Sequence, residues 1–290
     1  MQEKETMYKG VLGAVIGDIV GSRFEWHNYK GKDFELFVPQ SHFTDDTAMT
    51  IAIGKALSNC NGNYQNLSQE AIRMMQEIGR QYADCGYGGG FKAWLNSDDP
   101  QPYNSWGNGS AMRVSACAYF AQSMTEAKLL SQKVTEITHN HPEGMKGAEA
   151  ATVATFMALN GDKKDKIKEY ISKHYYSMDF NLDDIRAEYH FHVSCQKSVP
   201  QALKAFFESE NYEDAIRNAI SIGGDSDTIA AITGGVACAY YGMPRDIAEK
   251  GLSYLDDNLR VMVENIDDKA KALHMQSALI KNQKQVKEKD

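Results

Sequence analysis

Long hydrophobic runs are missing from this chain of 290 residues. Its best apolar run, from Val11 to Val20, is short and contains Asp18, whereas a membrane-spanning helix needs about 20 apolar residues. The core of a secretory signal peptide also tolerates such a charge poorly. We therefore expect neither a membrane partner nor a signal peptide, and we expect a cytoplasmic protein.

Closely spaced cysteine pairs are also missing. The chain has five scattered cysteines with no C-x-x-C pair: Cys60, Cys85, Cys117, Cys195 and Cys238. A disulfide framework or a thiolate zinc site usually shows an even number or a short spacing. The pattern is typical of reduced thiols in a cytoplasmic protein, most of them acting as small buried hydrophobic side chains.

Positive charge is in short supply, because 31 basic residues face 39 acidic ones and the net charge is −8. A duplex nucleic acid needs a basic face, so it is not expected as a partner, although a local pocket can still hold a nucleotide-like ligand. Apolar residues at 42% and charged residues at 24% are ordinary globular usage. The length favours a single domain over residues 1–290.

Strand signals are thin, and helical signals dominate what is there. Phe34–Val38 is the one short strand candidate, with a loop as the alternative, and no βαβ rhythm is present. Apolar spacing and capping residues predict helices at 47–58, 71–82, 123–137, 146–160, 165–176, 198–209, 213–222 and 228–241. Gly161 should end one helix and Pro244 should begin another, while residues 281–290 should fray or end a surface helix. We predict an all-α fold, a compact orthogonal multi-helix bundle.

Two acidic segments open predicted helices. They are Thr44-Asp45-Asp46-Thr47 and Gly223-Gly224-Asp225-Ser226-Asp227-Thr228. Capping explains one such segment, since carboxylates and hydroxyls are favoured at helix N-termini. Adjacent carboxylates repel each other unless a cation or proton intervenes, and oxygen ligands suit Mg²⁺, Mn²⁺ or Ca²⁺. On composition alone, capping and a shared metal site both remain open.

Two glycine-rich segments could approach a ligand closely. They are Gly86-Tyr87-Gly88-Gly89-Gly90-Phe91 and Ser105-Trp106-Gly107-Asn108-Gly109-Ser110. Such turns can offer backbone N–H groups to phosphate oxygens, but neither matches a Walker A or Rossmann pattern. Tight surface turns therefore remain the alternative. On a helix, the pairs His139/His141 and His190/His192 would point to different faces, so a shared zinc ion is not expected.

Taken in order, these segments resemble the ADP-ribosylglycohydrolase family. The resemblance is carried by Gly13 to Asp18 leading to Glu25, Thr44 to Thr47, Gly86 to Gly90, Gly107-Asn108-Gly109 with Ala111-Met112-Arg113, Thr138-His139, and Gly224 to Thr228. Each motif is weak alone, but the ordered set spans residues 9–242. The resemblance implies an all-α fold whose cleft holds two Mg²⁺ or Mn²⁺ ions as cofactors in a binuclear centre.

The resemblance also implies roles for individual residues. The metal ligands would be Thr44, Asp45, Asp46, Asp225, Asp227 and Thr228. The catalytic residues would be Glu25, Asp45 and Asp46, with Glu25 as either acid or base. ADP-ribose would contact Gly86, Gly88, Gly89, Gly90, Ser105, Trp106, Asn108 and His139. One departure is that the loop from Gly86 to Phe91 carries no acid, where nitrogenase-regulating members have an aspartate; the nearest acid is Asp84.

The implied function is a metal-dependent hydrolase, monomeric, that releases ADP-ribose from an ADP-ribosylated protein side chain. The modified residue would be arginine or serine, and ADP-ribose would be the product. Glycosidic cleavage has an oxocarbenium-like transition state, and two cations can orient ribose hydroxyls and a water molecule. The alternatives are hydrolysis of free ADP-ribose derivatives or of ADP-ribosylated nucleic acid, and binding of ADP-ribose without hydrolysis.

Overall fold

The computed structural model describes residues 7–287, with side chains over residues 7–275. Within those residues every named element is helical, with fourteen α-helices and two short 3₁₀ helices, Ser22–Phe24 and Asn108–Ser110. The α-helices are α1 (Leu12–Gly21), α2 (Asp45–Asn59), α3 (Leu67–Gln81), α4 (Gly89–Leu95), α5 (Ser115–Phe120), α6 (Met124–Thr135), α7 (Pro142–Leu159), α8 (Lys164–His174), α9 (Leu182–Arg186), α10 (Cys195–Phe207), α11 (Tyr212–Ser221), α12 (Ser226–Tyr241), α13 (Arg245–Leu252) and α14 (Asp257–Lys287). The prediction of an all-α fold is confirmed.

The predicted helix ends agree with the observed ones to within four residues. Ser123 caps α6 by accepting a hydrogen bond from the Glu126 N–H at 3.1 Å. The Glu126 carboxylate, however, accepts from the N–H of Gln122 and not from that of the cap residue itself. Gly161 follows α7 in the left-handed region (φ +77°), and Pro244 is the residue that caps α13.

The strand candidate Phe34–Val38 is wrong, and its alternative of a loop is correct. In the described part of the chain only two isolated bridges occur, Tyr8 with Met243 and Gly107 with Ser194. A lone strand has no neighbour for its backbone hydrogen bonds, so the segment stays irregular. The predicted tail, 281–290, continues α14 as far as Lys287, and residues 288–290 lie outside the described residues.

The packing of α1 against α12 forms the centre of the core and also fixes the position of the functional site. All ten residues of α1 are buried. At Gly17, an added Cβ would lie 2.0 Å from the carbonyl oxygen of Ala230, so only glycine permits this close approach of the two backbones. At Gly21, an added Cβ would lie 2.5 Å from the carbonyl oxygen of Ser226. The end of α1 therefore meets the beginning of α12.

The N-terminus of α2 arrives at the same place. Asp18 of α1 accepts hydrogen bonds from the backbone N–H groups of Thr44 and Thr47, at 2.9 and 3.0 Å. Thr228 of α12 donates from its hydroxyl to Asp46 of α2 at 3.3 Å. Two helix N-termini and the segment that follows α1 thus converge on one cleft. No helix in the described range is long and apolar enough to cross a membrane.

Candidate active site

The cleft at this convergence is a cavity of about 420 Å³. Thirteen of the fifteen residues to which the resemblance assigns a role line it: Glu25, Asp45, Asp46, Gly86, Gly88, Gly89, Gly90, Ser105, Asn108, His139, Asp225, Asp227 and Thr228. Thr44 lies behind the wall of this cavity and lines a neighbouring one. Trp106 does not line either cavity, since its ring packs against His141 with 5.4 Å between ring centroids.

One end of the cavity is a cluster of carboxylates. One oxygen from each of Glu25, Asp225 and Asp227 lies within 4.8 Å of the other two. Asp225 and Asp227 are almost fully buried, at 5% and 4% exposure, and Asp46 is buried at 2%. The local sequence explains the arrangement, because Asp225 is at the N-cap position of α12 and Asp227 lies in its first turn, while Thr44 caps α2 ahead of Asp45 and Asp46.

Two buried oxygens of this cluster have no hydrogen-bond donor within the described residues. Oδ1 of Asp46 and Oδ1 of Asp227 are both buried and unpartnered. A buried polar atom without a partner costs about 1–3 kcal/mol, and more when it is charged. Unpartnered carboxylate oxygens grouped with threonine hydroxyls are the ligand set of a hard divalent cation. The residues present therefore fit the metal centre that the resemblance implies.

Burial raises the pKa of every carboxyl group in the cluster. The pKa is raised to about 6 for Asp225, about 7 for Glu25 and about 8 for Asp45, and it lies well above its ordinary value for Asp46 and Asp227. Desolvation is the largest cause, and repulsion from Asp227 adds to it at Glu25, Asp45 and Asp46. A cation would favour the charged forms and so lower these pKa values.

Asp18 supports the cluster from behind, a role that motif reading did not assign to it. It is fully buried and accepts from the Thr44 hydroxyl at 2.7 Å as well as from the hydroxyl of Thr47. Together with the two backbone donors, these bonds satisfy its carboxylate and fix the first turn of α2. The signal was visible in the sequence as a single acid within an apolar helix, which is rarely tolerated without a partner.

Asn108 connects the carboxylate cluster to the second glycine-rich segment. Its amide nitrogen donates to Asp225 at 2.6 Å and to the Ser198 hydroxyl at 3.0 Å. Ser105, in the same segment, accepts from the N–H of Gly107 at 3.1 Å. The predicted ligand contact Asn108 is thus committed, at least in part, to orienting an acidic side chain.

The glycine loop lines another part of the cavity; its own residues carry no carboxylate, and it meets the acidic cluster at Gly86, where an added Cβ would lie 3.8 Å from Oδ1 of Asp45. An added Cβ at Gly88 or Gly89 would meet no atom within 4 Å, so these backbones face open space. Gly86 adopts φ +95°, which only glycine adopts without strain. The ring of Phe91 packs on Tyr87 and Trp94 behind the loop. A flat, accessible backbone surface of this kind suits a polyanionic ligand.

A buried cation and a buried histidine complete this end. Arg113 is 1% exposed, lines the cavity, and makes no salt bridge with any described carboxylate. Burial lowers its pKa to about 10. His139 is 4% exposed, and burial together with the charge of Arg113 holds its pKa well below the ordinary value.

Aromatic and apolar side chains at the mouth of the cavity were not predicted. Trp26 is 75% exposed and stacks on Phe191 with 5.0 Å between ring centroids. Tyr103 and Val193 also line the cavity. Trp26 was visible beside Glu25 in the sequence, but Phe191 and Val193 come from the segment before α10, whose position depends on the fold.

A second cavity, of about 550 Å³, adjoins the first. It shares Glu25, Trp26, Asp45, Gly86 and Asp227 with the first cavity. Its remaining lining is His42, Phe43, Thr44, Gln81, Tyr82, Ala83, Asp84 and Cys85. Three carboxylates of the cluster, Glu25, Asp45 and Asp227, therefore line both spaces.

Comparison with known proteins agrees with this geometry. The ADP-ribosylglycohydrolase family matches residues 2–281. The chain belongs to this family, and it is accordingly an enzyme of the glycosidic-bond hydrolase class.

Individual relatives are distant but cover most of the chain. Human ADP-ribosylhydrolase ARH3 is 26% identical, over 81% of this chain and 85% of its own length. ADP-ribosylarginine hydrolase Tri1 of Pseudomonas putida is 25% identical, over 83% and 72%. The ADP-ribosyl-[dinitrogen reductase] glycohydrolase of Rhodospirillum rubrum is 23% identical, over 84% and 88%.

A solved structure described as an ADP-ribosylglycohydrolase-related protein complex has the same fold. It superposes with a TM-score of 0.68 at 20% identity and covers 90% of this chain and 96% of its own.

Proposed function

We propose that the protein hydrolyses the bond between ADP-ribose and a modified protein side chain, arginine or serine, and that it uses two Mg²⁺ or Mn²⁺ ions. One observation carries the proposal: a single cavity joins an unpartnered carboxylate cluster to a glycine loop and a buried cation. The first feature suits divalent cations and the second suits a diphosphate. The family match over residues 2–281 supports the same reaction and a single domain.

The cations would be held by Thr44, Asp45, Asp46, Asp225, Asp227 and Thr228. When bound, they would supply positive charge that orients ribose hydroxyls and lowers the pKa of a water molecule. Asp18 contributes indirectly, because it fixes Thr44 and the first turn of α2 through four hydrogen bonds. Asn108 does the same for Asp225 through the bond at 2.6 Å.

Glu25 would move the proton. It is half-buried, lies at the junction of the two cavities, and forms no salt bridge with the nearby Arg23, which donates instead to the carbonyl oxygen of Glu35. From this position its carboxyl group can reach both the bond that breaks and the departing side chain. It can protonate the leaving group as a general acid or take a proton from water as a general base.

The remainder of ADP-ribose would occupy the first cavity. Its diphosphate would lie against the backbone of Gly88 and Gly89, which face open space, and near the buried charge of Arg113. The aromatic side chains at the mouth offer flat surfaces for the base. These local donors allow a chain with a net charge of −8 to accept an anionic ligand.

The modified side chain would enter from the second cavity. This space meets the first one at Glu25, Asp45 and Asp227, so a bond lying across the cluster would have ADP-ribose on one side and the acceptor on the other. The relatives act on different substrates by name, ADP-ribosylarginine for Tri1 and ADP-ribosylated dinitrogen reductase for the Rhodospirillum rubrum enzyme. The experiment below distinguishes arginine from serine as the modified residue.

The proposal is tested by incubating the protein and Mg²⁺ with two defined peptides, one ADP-ribosylated on arginine and one on serine. Free ADP-ribose should appear from at least one of them, and chelation of the metal should stop its release. A parallel incubation with O-acetyl-ADP-ribose and with ADP-ribosylated DNA covers the alternatives. Tight binding of ADP-ribose with no release from any substrate would contradict the proposal.

A further inference from the structure

A chain of hydrogen bonds runs from the buried guanidinium of Arg113 to the ring of His139. The Nη2 group of Arg113 donates to the hydroxyl oxygen of Thr138 at 2.7 Å. The same oxygen lies 2.7 Å from Nδ1 of His139. All three side chains are buried, at 1%, 0% and 4% exposure, so bulk water does not compete for these bonds.

The direction of each bond follows from what each group can do. A guanidinium only donates, so the Thr138 oxygen must accept from Arg113. The hydroxyl then has one proton to give and two candidate acceptors, Nδ1 of His139 at 2.7 Å and the carbonyl oxygen of Thr135 at 3.4 Å. Hydroxyl donors normally lie within about 3.0 Å of the acceptor. The Thr135 carbonyl also already accepts from the N–H groups of Thr138 and His139, at 3.1 and 2.9 Å.

We infer that Arg113 and Thr138 fix His139 as the neutral tautomer with its proton on Nε2, and that this N–H donates to an oxygen of the ligand in the first cavity. With Nδ1 acting as acceptor, a neutral imidazole must carry its proton on Nε2. The nearby charge of Arg113 and the burial of the ring both disfavour a second proton.

The Nε2 atom faces the cavity wall and is free to bind a ligand. An added Cβ at Gly107 or at Gly109 would lie 3.4 or 3.5 Å from Nε2, and both glycines line the cavity. No side chain in the range 7–275 forms a hydrogen bond with this nitrogen. A protonated Nε2 cannot ligate a metal, so the partner is an acceptor oxygen such as a phosphate or ribose oxygen. Thr138 is thus a positioning residue, and the second half of the inference rests on the proposed function.

The tautomer is measured directly by ¹⁵N NMR of the ring nitrogens in the ligand-free protein, with the His139 signals assigned by their loss in His139→Gln. Nε2 should show the shift of a protonated nitrogen and Nδ1 that of an unprotonated one. Protonation of Nδ1, or of both nitrogens, would overturn the inference. This measurement needs no substrate, so its result is independent of the reaction assigned to the site.

Variants of the two neighbouring threonines test the relay. Thr138→Val removes the donor to Nδ1 while keeping the shape; it should mix the tautomers and weaken ADP-ribose binding about tenfold, as expected for one lost hydrogen bond. Thr138→Ser should restore both. Thr135→Val is the matched control, because the Thr135 hydroxyl is buried with no partner in the described structure, and it should change neither.

The outcomes distinguish the hydrogen-bond relay through Thr138 from the contact of His139 with the ligand. An unchanged tautomer in Thr138→Val, or failure of Thr138→Ser to restore it, would overturn the relay. A tautomer shift without any loss of ADP-ribose affinity would overturn the ligand contact. Absence of ADP-ribose binding by the wild type would refute the proposed function, while the NMR result on the relay would stand.

Discussion

The two ends of the active-site cavity present opposite chemistry within about 420 Å³. The carboxylate end has buried acceptors without donors, Oδ1 of Asp46 and of Asp227. The other end has a buried cation, Arg113, without a carboxylate partner among the described residues. A net charge of −8 for the whole chain therefore says little about this site. Each end leaves open the kind of contact that a ligand of the opposite sign would supply.

The helix ends at the cleft follow the usual preference for negative charge. Helix N-termini favour anions, and α2 and α12 supply these anions as their own aspartates, in the first turn or at the N-cap position. Those carboxylates interact with the positive ends of the helix dipoles. The cluster still keeps a surplus of negative charge, which a cation can offset. The anion-binding end is formed mainly by glycine backbone and buried side chains. It follows that an anion and a cation can occupy one cavity side by side.

The largest expected effect comes from weakening the carboxylate cluster, the part of the cavity that would bind cations. Asp227→Asn removes a charge from the cluster and should lower turnover by more than about a thousandfold, since metal stabilisation of a transition state is worth several kcal/mol. Divalent-cation binding, measured by calorimetry, should weaken in the same variant. Asp246→Asn, an exposed residue in the first turn of α13, is the control and should behave as the wild type. Unchanged Mg²⁺ and Mn²⁺ binding in Asp227→Asn would remove this residue from the metal centre.

Glu25 lies between the two cavities, and its variant should have the next largest effect. Glu25→Gln keeps the shape of the side chain but removes its ability to donate or accept a proton. Turnover should therefore fall about 10²- to 10⁴-fold, the usual contribution of general acid–base catalysis. ADP-ribose affinity should change much less. Glu35→Gln is a nearby control outside both cavities. Full turnover in Glu25→Gln, with only a small loss of stability, would exclude Glu25 from the mechanism.

A substitution at Gly88 tests the glycine loop, the part of the cavity that would bind the anionic diphosphate. Gly88→Val places a branched side chain in open space, so the melting temperature should be unchanged while ADP-ribose affinity falls about tenfold, or about 1.4 kcal/mol. Gly86→Ala is the informative counterpart, because φ +95° strains any other residue and should lower stability. A Gly88→Val protein that binds ADP-ribose normally would show that the phosphates lie elsewhere.

A buried carboxylate outside the active-site cavity sharpens the comparison, because its effect falls on stability and leaves turnover and ligand binding unchanged. Asp267 accepts from the Val11 N–H at 2.9 Å and from the Tyr8 hydroxyl, and burial raises its pKa to about 6. In the unfolded chain an aspartate titrates at about 3.9. The folded state therefore holds this proton more tightly, so the stabilisation is full below about pH 4 and is lost as the pH rises through about 6.

In the wild type, the free energy of unfolding should fall by roughly 2–3 kcal/mol as the pH rises through this range. Asp267→Asn should remove this fall, because asparagine does not titrate. Urea unfolding of both proteins across this pH range measures the difference. Because the oxygens of Asp267 already have donors, Mg²⁺ should leave the difference unaltered. Parallel pH profiles for wild type and variant would contradict the assignment.

The sequence was most informative where local chemistry decides the structure. Capping at Ser123, the turn at Gly161 and the acidic starts of α2 and α12 depend on neighbouring residues alone, and all are observed. Which acidic segments meet depends on the close contact of α1 with α12, and that contact is a property of the whole fold. Motif order suggested the meeting only through resemblance to a family.

The residues that sequence reasoning missed depend on long-range packing. Asp18 finds its donors on α2, 26 and 29 positions away, and Phe191 reaches Trp26 from the segment before α10. Trp106 is a different case, because the resemblance suggests a contact with ADP-ribose, whereas its ring packs edge-on against His141 outside the lining of both cavities; the contact stays a prediction. No local pattern distinguishes these cases, since side-chain direction at an irregular segment is set by tertiary contacts.

The most direct test of the opposed ends is calorimetric titration of ADP-ribose with and without Mg²⁺. If cation and anion occupy neighbouring parts of one cavity, Mg²⁺ should tighten ADP-ribose binding at least about tenfold, and ADP-ribose should tighten Mg²⁺ binding by the same factor, as linkage requires. The Asp227→Asn protein should lose this coupling while still binding ADP-ribose weakly. ADP-ribose affinity that is the same with and without Mg²⁺ would contradict the account.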